Sequence, residues 1–179
     1  MNRYAISGVL IADHRDLDPD AARERPQSSI PVPGWTEAAA VMASLFDEFI
    51  VVAADPSACL AWDAMIVRDH YRPPGLLSGI HAGLFSASHP HIIVAAAVDP
   101  VTSDGVEPLM KALESRWDAV LHESGQTCVA LPGIYGKRAL RPLTQLLASG
   151  EWRFDRFLSR IRTRRVAAQD LNPAGGPNR

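Results

Sequence analysis

No lysine precedes Lys111 in this chain of 179 residues, so any anion met early must be answered by arginine, histidine or backbone N–H groups. Cysteine is almost missing too. Cys59 and Cys128 follow neither metal-ligand nor disulfide-framework spacing, and neither has a positive neighbour that would lower a thiol pKa, so both read as small buried apolar residues. Net charge is equally scarce: eighteen basic against twenty acidic residues leave -2, no global field to draw nucleic acid or an anionic membrane. No apolar run reaches about 18 residues, and no signal-peptide pattern, internal repeat or low-complexity block is present. The expectation is a cytoplasmic, reduced protein without nucleic acid or membrane partners.

What the chain has is apolar strand material. With 47% hydrophobic residues it is long enough for one sizeable core and short for two, so one domain is expected over residues 1–170, followed by a loose tail, Leu171 to Arg179. Ile92 to Val98 is wholly apolar, without the alternation of a strand with one wet face, which suits a central parallel strand covered on both sides. Tyr4 to Ala12 and Phe49 to Ala54 read the same way. Helical spacing marks Trp35 to Phe46, a segment from Thr102 or Ser103 to about Arg116, the stripe Leu140, Leu143, Leu146 and Leu147 closed by Gly150, and the stripe Phe154, Phe157, Leu158 and Ile161. Shorter strands are expected at Met65 to Arg68, Asp118 to His122 and Thr127 to Tyr135, the last broken at Pro132 and Gly133 and near the sheet edge. Strands alternating with helices imply a three-layer α/β/α, Rossmann-like domain with a mostly parallel sheet.

Two stretches draw attention as chemistry. Gly75, Gly79 and Gly83 recur every fourth residue after Asp69, so Gly79 and Gly83 share one bare helix face that lets a backbone or a ligand come close. Asp99 and Pro100 follow the apolar strand at its carboxyl end, where open α/β sheets present ligand-binding groups. Asp99 is there either a Mg2+ ligand or the start of an Asp-Pro turn. Between the first strand and the first helix, Asp13 to Gly34 holds four prolines and eight charged residues without periodicity, and is expected to be a long exposed loop. His89 and His91 lie two apart but lack a third ligand at metal spacing. Arg156, Arg160 and Arg164, at i, i+4 and i+8, form either a basic stripe for an anion or a solvated helix face balanced by Glu151 and Asp155.

Asp69 followed by GLLSGIHAGL resembles the molybdenum cofactor guanylyltransferase family, the MobA-like branch of the nucleotidyltransferases, whose pattern there is an acid and then G-x-L-x-G-I-x-A-G-L. PVPGWTEAA, FDEFIVVAADP and IYGKRALRPLTQLLASGEWRFDRFL extend the resemblance over most of the chain. It implies GMP transfer from GTP onto the phosphate of the molybdopterin cofactor with release of pyrophosphate and help from Mg2+. It also implies nucleotide binding by Ile11, Ala12, Asp69, Gly75 and Gly79, with Asp99 as catalytic metal ligand, and a protein partner in molybdoenzyme maturation. The family's first strand runs into L-A-G-G-x-S-x-R-M-G-x-D-K, whose glycines let N–H groups cradle phosphates. Here the strand runs into Ala12, Asp13, His14 and Arg15, so both glycines are replaced, by an acid and a histidine. Asp13, Asp16, Asp18 and Asp20 oppose a triphosphate by about 1 kcal/mol per close pair in water. The alternative expectation is therefore a lapsed relative that binds cofactor or a partner protein without transferring a nucleotide.

Overall fold

The computed structural model describes residues 4–12, 35–96, 102–125 and 127–167. The expected loop Asp13 to Gly34, the tail Leu171 to Arg179 and Asp99 lie outside the described residues.

Seven strands form one sheet in the order β3-β2-β1-β4-β6-β5-β7. β1 (Tyr4–Ile11) lies between β2 (Phe46–Val52) and β4 (His91–Ala96), parallel to both, and β3 (Met65–Val67) extends the sheet beyond β2. β6 (Thr127–Gly136) is antiparallel to β4 and to β5 (Ala119–Ser124), and β7 (Thr163–Val166) pairs with β5 in parallel. The sheet is mostly parallel, as expected, with β6 the reversed strand.

Alternation along β1 assigns the two faces. Ile6 and Leu10 join one core with Trp35, Ala38 and Met42 of α1 (Trp35–Leu45) and Val106 and Leu109 of α3 (Ser103–Lys111). Val9 and Ile11 join the other core with Leu77, Ile80 and Leu84 of α2 (Leu76–Ser86), Leu143, Leu146 and Leu147 of α4 (Leu140–Ala148), and Phe157 of α5 (Phe154–Leu158). This gives the three layers.

The structure differs from the sequence reading in four places, the first being that α3 stops at Lys111 rather than near Arg116. β6 is an interior strand, because Pro132 sits in a bulge: pairing with β5 jumps from Leu121↔Gly133 to His122↔Val129, and the proline's missing N–H interrupts no ladder. The Tyr135 hydroxyl, fully buried, donates to the Ala130 carbonyl at 2.7 Å across that bulge. α1 runs directly into β2 at Phe46, whose buried ring lies over Gly8 where a Cβ would come within 2.5 Å of it. Finally, the last helix stops at Leu158 and Arg164 lies on β7, so Arg156, Arg160 and Arg164 form no helical stripe.

Candidate functional site

The chain passes from β1 through β2 to β3 on one side of the sheet and returns to place β4 on the other, so the switch in strand order falls between β1 and β4. Open parallel sheets bind ligands outside the carboxyl ends of the strands at such a point. Ile11, Ala12, Ala53 and Ala96 stand at that end, all buried. The Ala12 N–H donates to the Val52 carbonyl at 2.9 Å, and the Ala53 N–H to the Val67 carbonyl at 3.0 Å. Ile11 and Ala12 thus form the apolar floor of the strand ends.

Asp69 follows β3 by two residues and reaches the first turn of α2. The buried Ser78 hydroxyl lies 3.1 Å from Asp69 Oδ2 and 3.0 Å from the Gly75 carbonyl, and it accepts the Gly75 N–H at 2.8 Å. A serine three residues into a helix that bonds back to the N-terminal residue is a capping arrangement. Here it also holds a carboxylate beside the helix's positive end. Ser78 was not among the residues singled out from sequence, although a Ser three positions past a helix-opening Gly is a legible signal.

The glycines divide. A Cβ at Gly79 would lie 2.6 Å from Ile11 Cδ1, and one at Gly83 2.8 Å from Val9 Cγ1 and 3.2 Å from Ile92 Cδ1. Their bare face is filled by β1 and β4. Gly75, by contrast, has open space where a Cβ would stand, leaving room for a ligand before α2. What this end can do is accept hydrogen bonds through Asp69 and receive a flat or anionic group at the start of α2.

At the other end of the strands, Glu48 accepts from the Ser7 hydroxyl at 2.5 Å and from the Ser88 N–H and hydroxyl at 2.9 and 2.7 Å. His89 Nδ1 lies 3.1 Å from Ser7 Oγ and 3.7 Å from Glu48. Burial raises the Glu48 pKa, but these hydrogen bonds and the His89 charge outweigh it and leave it lowered. Ser7 is fully buried and bonds straight to the carboxylate, so the trio ties β1, β2 and the turn before β4 together rather than making a nucleophile. Among the described residues, no group of three or more His, Cys, Asp or Glu side chains stands close enough to hold a metal ion. Of the two described acids just past the ends of β2 and β3, Asp55 caps the turn at Ser57 and Asp69 reaches α2.

A separate groove of about 700 Å³ runs between α2 and α4, lined by aromatic, imidazole and basic side chains that include His81, Phe85 and Arg141. Its upper wall, His70 and Tyr71, directly follows Asp69 in the chain.

Residues 33–165 match the family model described as the MobA-like NTP transferase domain. This chain belongs to that family. The MobA-like chain is 28% identical over 129 residues to a molybdenum cofactor guanylyltransferase of Desulfosudis oleivorans, a match covering 72% of this chain and 64% of that protein. It is also 28% identical over 130 residues to a molybdenum cofactor guanylyltransferase of Syntrophotalea carbinolica, covering 72% and 62%. The chain therefore spans less than two thirds of the length of these curated relatives. Among solved structures it is similar to molybdopterin-guanine dinucleotide biosynthesis protein A from Archaeoglobus fulgidus, with a TM-score of 0.71 at 18% identity, covering 93% of this chain and 86% of that one. The 4-diphosphocytidyl-2C-methyl-D-erythritol synthase of Anaerococcus prevotii gives 0.60 at 15% identity, covering 93% and 94%. Such distant likenesses establish the nucleotidyltransferase fold.

Proposed function

We propose that this MobA-like domain binds GTP at the β1/β4 switch point and transfers GMP to the phosphate of the molybdopterin cofactor. The observation that supports this best is Asp69, held by Ser78 at the start of α2 beside the open space at Gly75. A carboxylate so placed accepts hydrogen bonds from a base or ribose, and the helix start favours the adjoining negative charge. In the proposed reaction an oxygen of the acceptor phosphate attacks the α-phosphorus of GTP, one P–O bond forms, and the α–β bridge breaks to release pyrophosphate. Asp69 positions; it takes no proton in this scheme.

The described residues do not fit a magnesium ion by themselves, since no three of their His, Cys, Asp or Glu side chains gather there and Asp69 is engaged with Ser78. Asp99, outside the described residues, is the proposed metal ligand. A second reading, a lapsed relative that binds cofactor or a partner protein without transferring a nucleotide, is favoured by one sequence observation: the stretch after β1 carries Asp13, Asp16, Asp18 and Asp20 and no lysine.

Calorimetric titration of GTP with Mg2+ tests both, with ATP as the control and with Asp69→Ala and Asp99→Ala. The first reading expects micromolar GTP binding that weakens at least tenfold in both variants, followed by pyrophosphate release on adding molybdopterin. GTP binding without pyrophosphate release overturns the transfer step. No binding of GTP at millimolar concentration overturns the nucleotide site and supports the second reading.

A further inference from the structure

The α2–α4 groove has a chemistry of its own. Neither helix carries an acidic residue, since α2 reads LLSGIHAGLFS and α4 reads LRPLTQLLA. Among the described residues no carboxylate lines the groove, whereas Arg141 and Lys137 do. The Lys137 ammonium donates to the Ala87 carbonyl, which leaves two of its three N–H bonds for another acceptor. An anion placed here meets attraction without repulsion.

Ring geometry sets the rest. The His81 and Phe85 rings lie within 8° of parallel, with centroids 6.3 Å apart, and His70 stands at 59° to Phe85 and 65° to His81. Tyr71 meets His81 edge-on at 81° and 4.9 Å. Two parallel rings with two others standing across them make an aromatic corner, which takes a flat ring by stacking and edge contact. Phe85 is 61% exposed, so its ring is open to whatever enters the groove.

His81 adds a polar preference. It is 6% exposed, and its Nε2 lies 3.0 Å from Thr144 Oγ1, while that hydroxyl donates to the Leu140 carbonyl at 2.9 Å. With the hydroxyl proton committed, Nε2 carries the imidazole proton and Nδ1 is the bare acceptor. That Nδ1 is buried without a partner, an unfavourable state that a ligand N–H would relieve.

We propose that this groove is a second ligand site, separate from the Asp69 end, for a planar aromatic anion: a fused ring carrying an N–H donor and a carboxylate or phosphate. The ring stacks on the exposed Phe85 with its N–H turned toward the edge of His81, and its anionic group meets Arg141 and Lys137. The volume is in the range of small-ligand sites.

Indole-3-carboxylate is a minimal probe, with indole as ring without charge and acetate as charge without ring. Titration into the 15N-labelled full chain, followed by amide shifts of α2 and α4, is expected to saturate with a Kd on the order of 1 mM, as suits a ligand of this size. Indole and acetate should each bind at least fivefold more weakly. Phe85→Ala and Arg141→Gln change exposed side chains and should keep the fold while weakening the probe at least fivefold. Asp69→Ala should leave probe affinity unchanged, which separates this site from the proposed nucleotide site. Absence of saturation by 10 mM, equal binding of indole or acetate, or unchanged affinity in Arg141→Gln overturns the proposal.

Discussion

Replacing Gly83 by alanine tests how closely α2 lies on the central strand. In an unencumbered helix the change stabilises by about 1 kcal/mol, because glycine is the poorest ordinary helix former. Here the new methyl would lie 2.8 Å from Val9 Cγ1, 3.0 Å from Val9 Cγ2 and 3.2 Å from Ile92 Cδ1. Val9 and Ile92 are fully buried on adjacent central strands, and a β-branched valine has no spare rotamer with which to yield. Overpacking of this kind costs about 1–3 kcal/mol. Setting the middle of that range against the propensity gain leaves a net loss of about 1 kcal/mol, or a Tm lower by roughly 2–4 °C for a chain of this size. Urea unfolding by linear extrapolation, checked by a thermal melt, measures it. Gly79→Ala should cost a similar amount, since a Cβ there would lie 2.6, 3.0 and 3.3 Å from Cδ1, Cγ1 and Cγ2 of the buried, β-branched Ile11. In a double-mutant cycle Val9→Ala should be less damaging in the Gly83→Ala background by about 1 kcal/mol, the coupling expected of residues in contact. A Gly83→Ala protein that is more stable by about 1 kcal/mol and shows no coupling to Val9 would refute the packing argument.

Asp118, 8% exposed, accepts from Arg138 Nε at 2.9 Å and from the Arg162 backbone N–H and Nε at 3.0 and 3.1 Å, joining β5 to the turn before α4 and to β7. Asp118→Asn should cost about 2 kcal/mol, toward the lower end for charged hydrogen bonds because both arginines are more than half exposed. Burial raises the Asp118 pKa, but the Arg162 and Arg138 bonds and charges outweigh it and leave it lowered. That stabilisation is therefore present above the unfolded carboxyl pKa and lost as pH falls through the folded one. The gap between wild type and Asp118→Asn should stay level down to about pH 5 and close below about pH 4; a gap that widens in acid contradicts it. The His81 pKa is lowered by burial and then by the His70 charge, and that of His91 by burial and then by Arg138. Both hold their proton more weakly folded than unfolded, so stability should fall as pH drops below about 6.5. His81→Phe should flatten that slope between pH 7.5 and 5.5, and equal slopes would argue against it.

The apolar runs Tyr4 to Ala12 and Ile92 to Val98 were enough to specify two central strands, because a strand covered on both faces cannot alternate. The acid followed by GLLSGIHAGL likewise carried the family in local residues, since that helix must lie on β1 through Gly79 and Gly83. Long-range pairing was beyond the sequence. The interior position of β6 depends on where its bulge falls opposite Leu121 and His122, and no local rule places Pro132 there. The end of α5 at Leu158, which disperses the arginines, depends on β7 finding the open edge of β5. Ser78 becomes the holder of Asp69 only once β3 delivers the carboxylate to the start of α2. The aromatic corner joins residues from the turn after β3 and from α2, and only tertiary packing brings His81 to Thr144 of α4 across 63 positions of chain. Periodicity and spacing are properties of a segment, whereas a site is a meeting of segments, and the energy that decides which segments meet belongs to the assembled core.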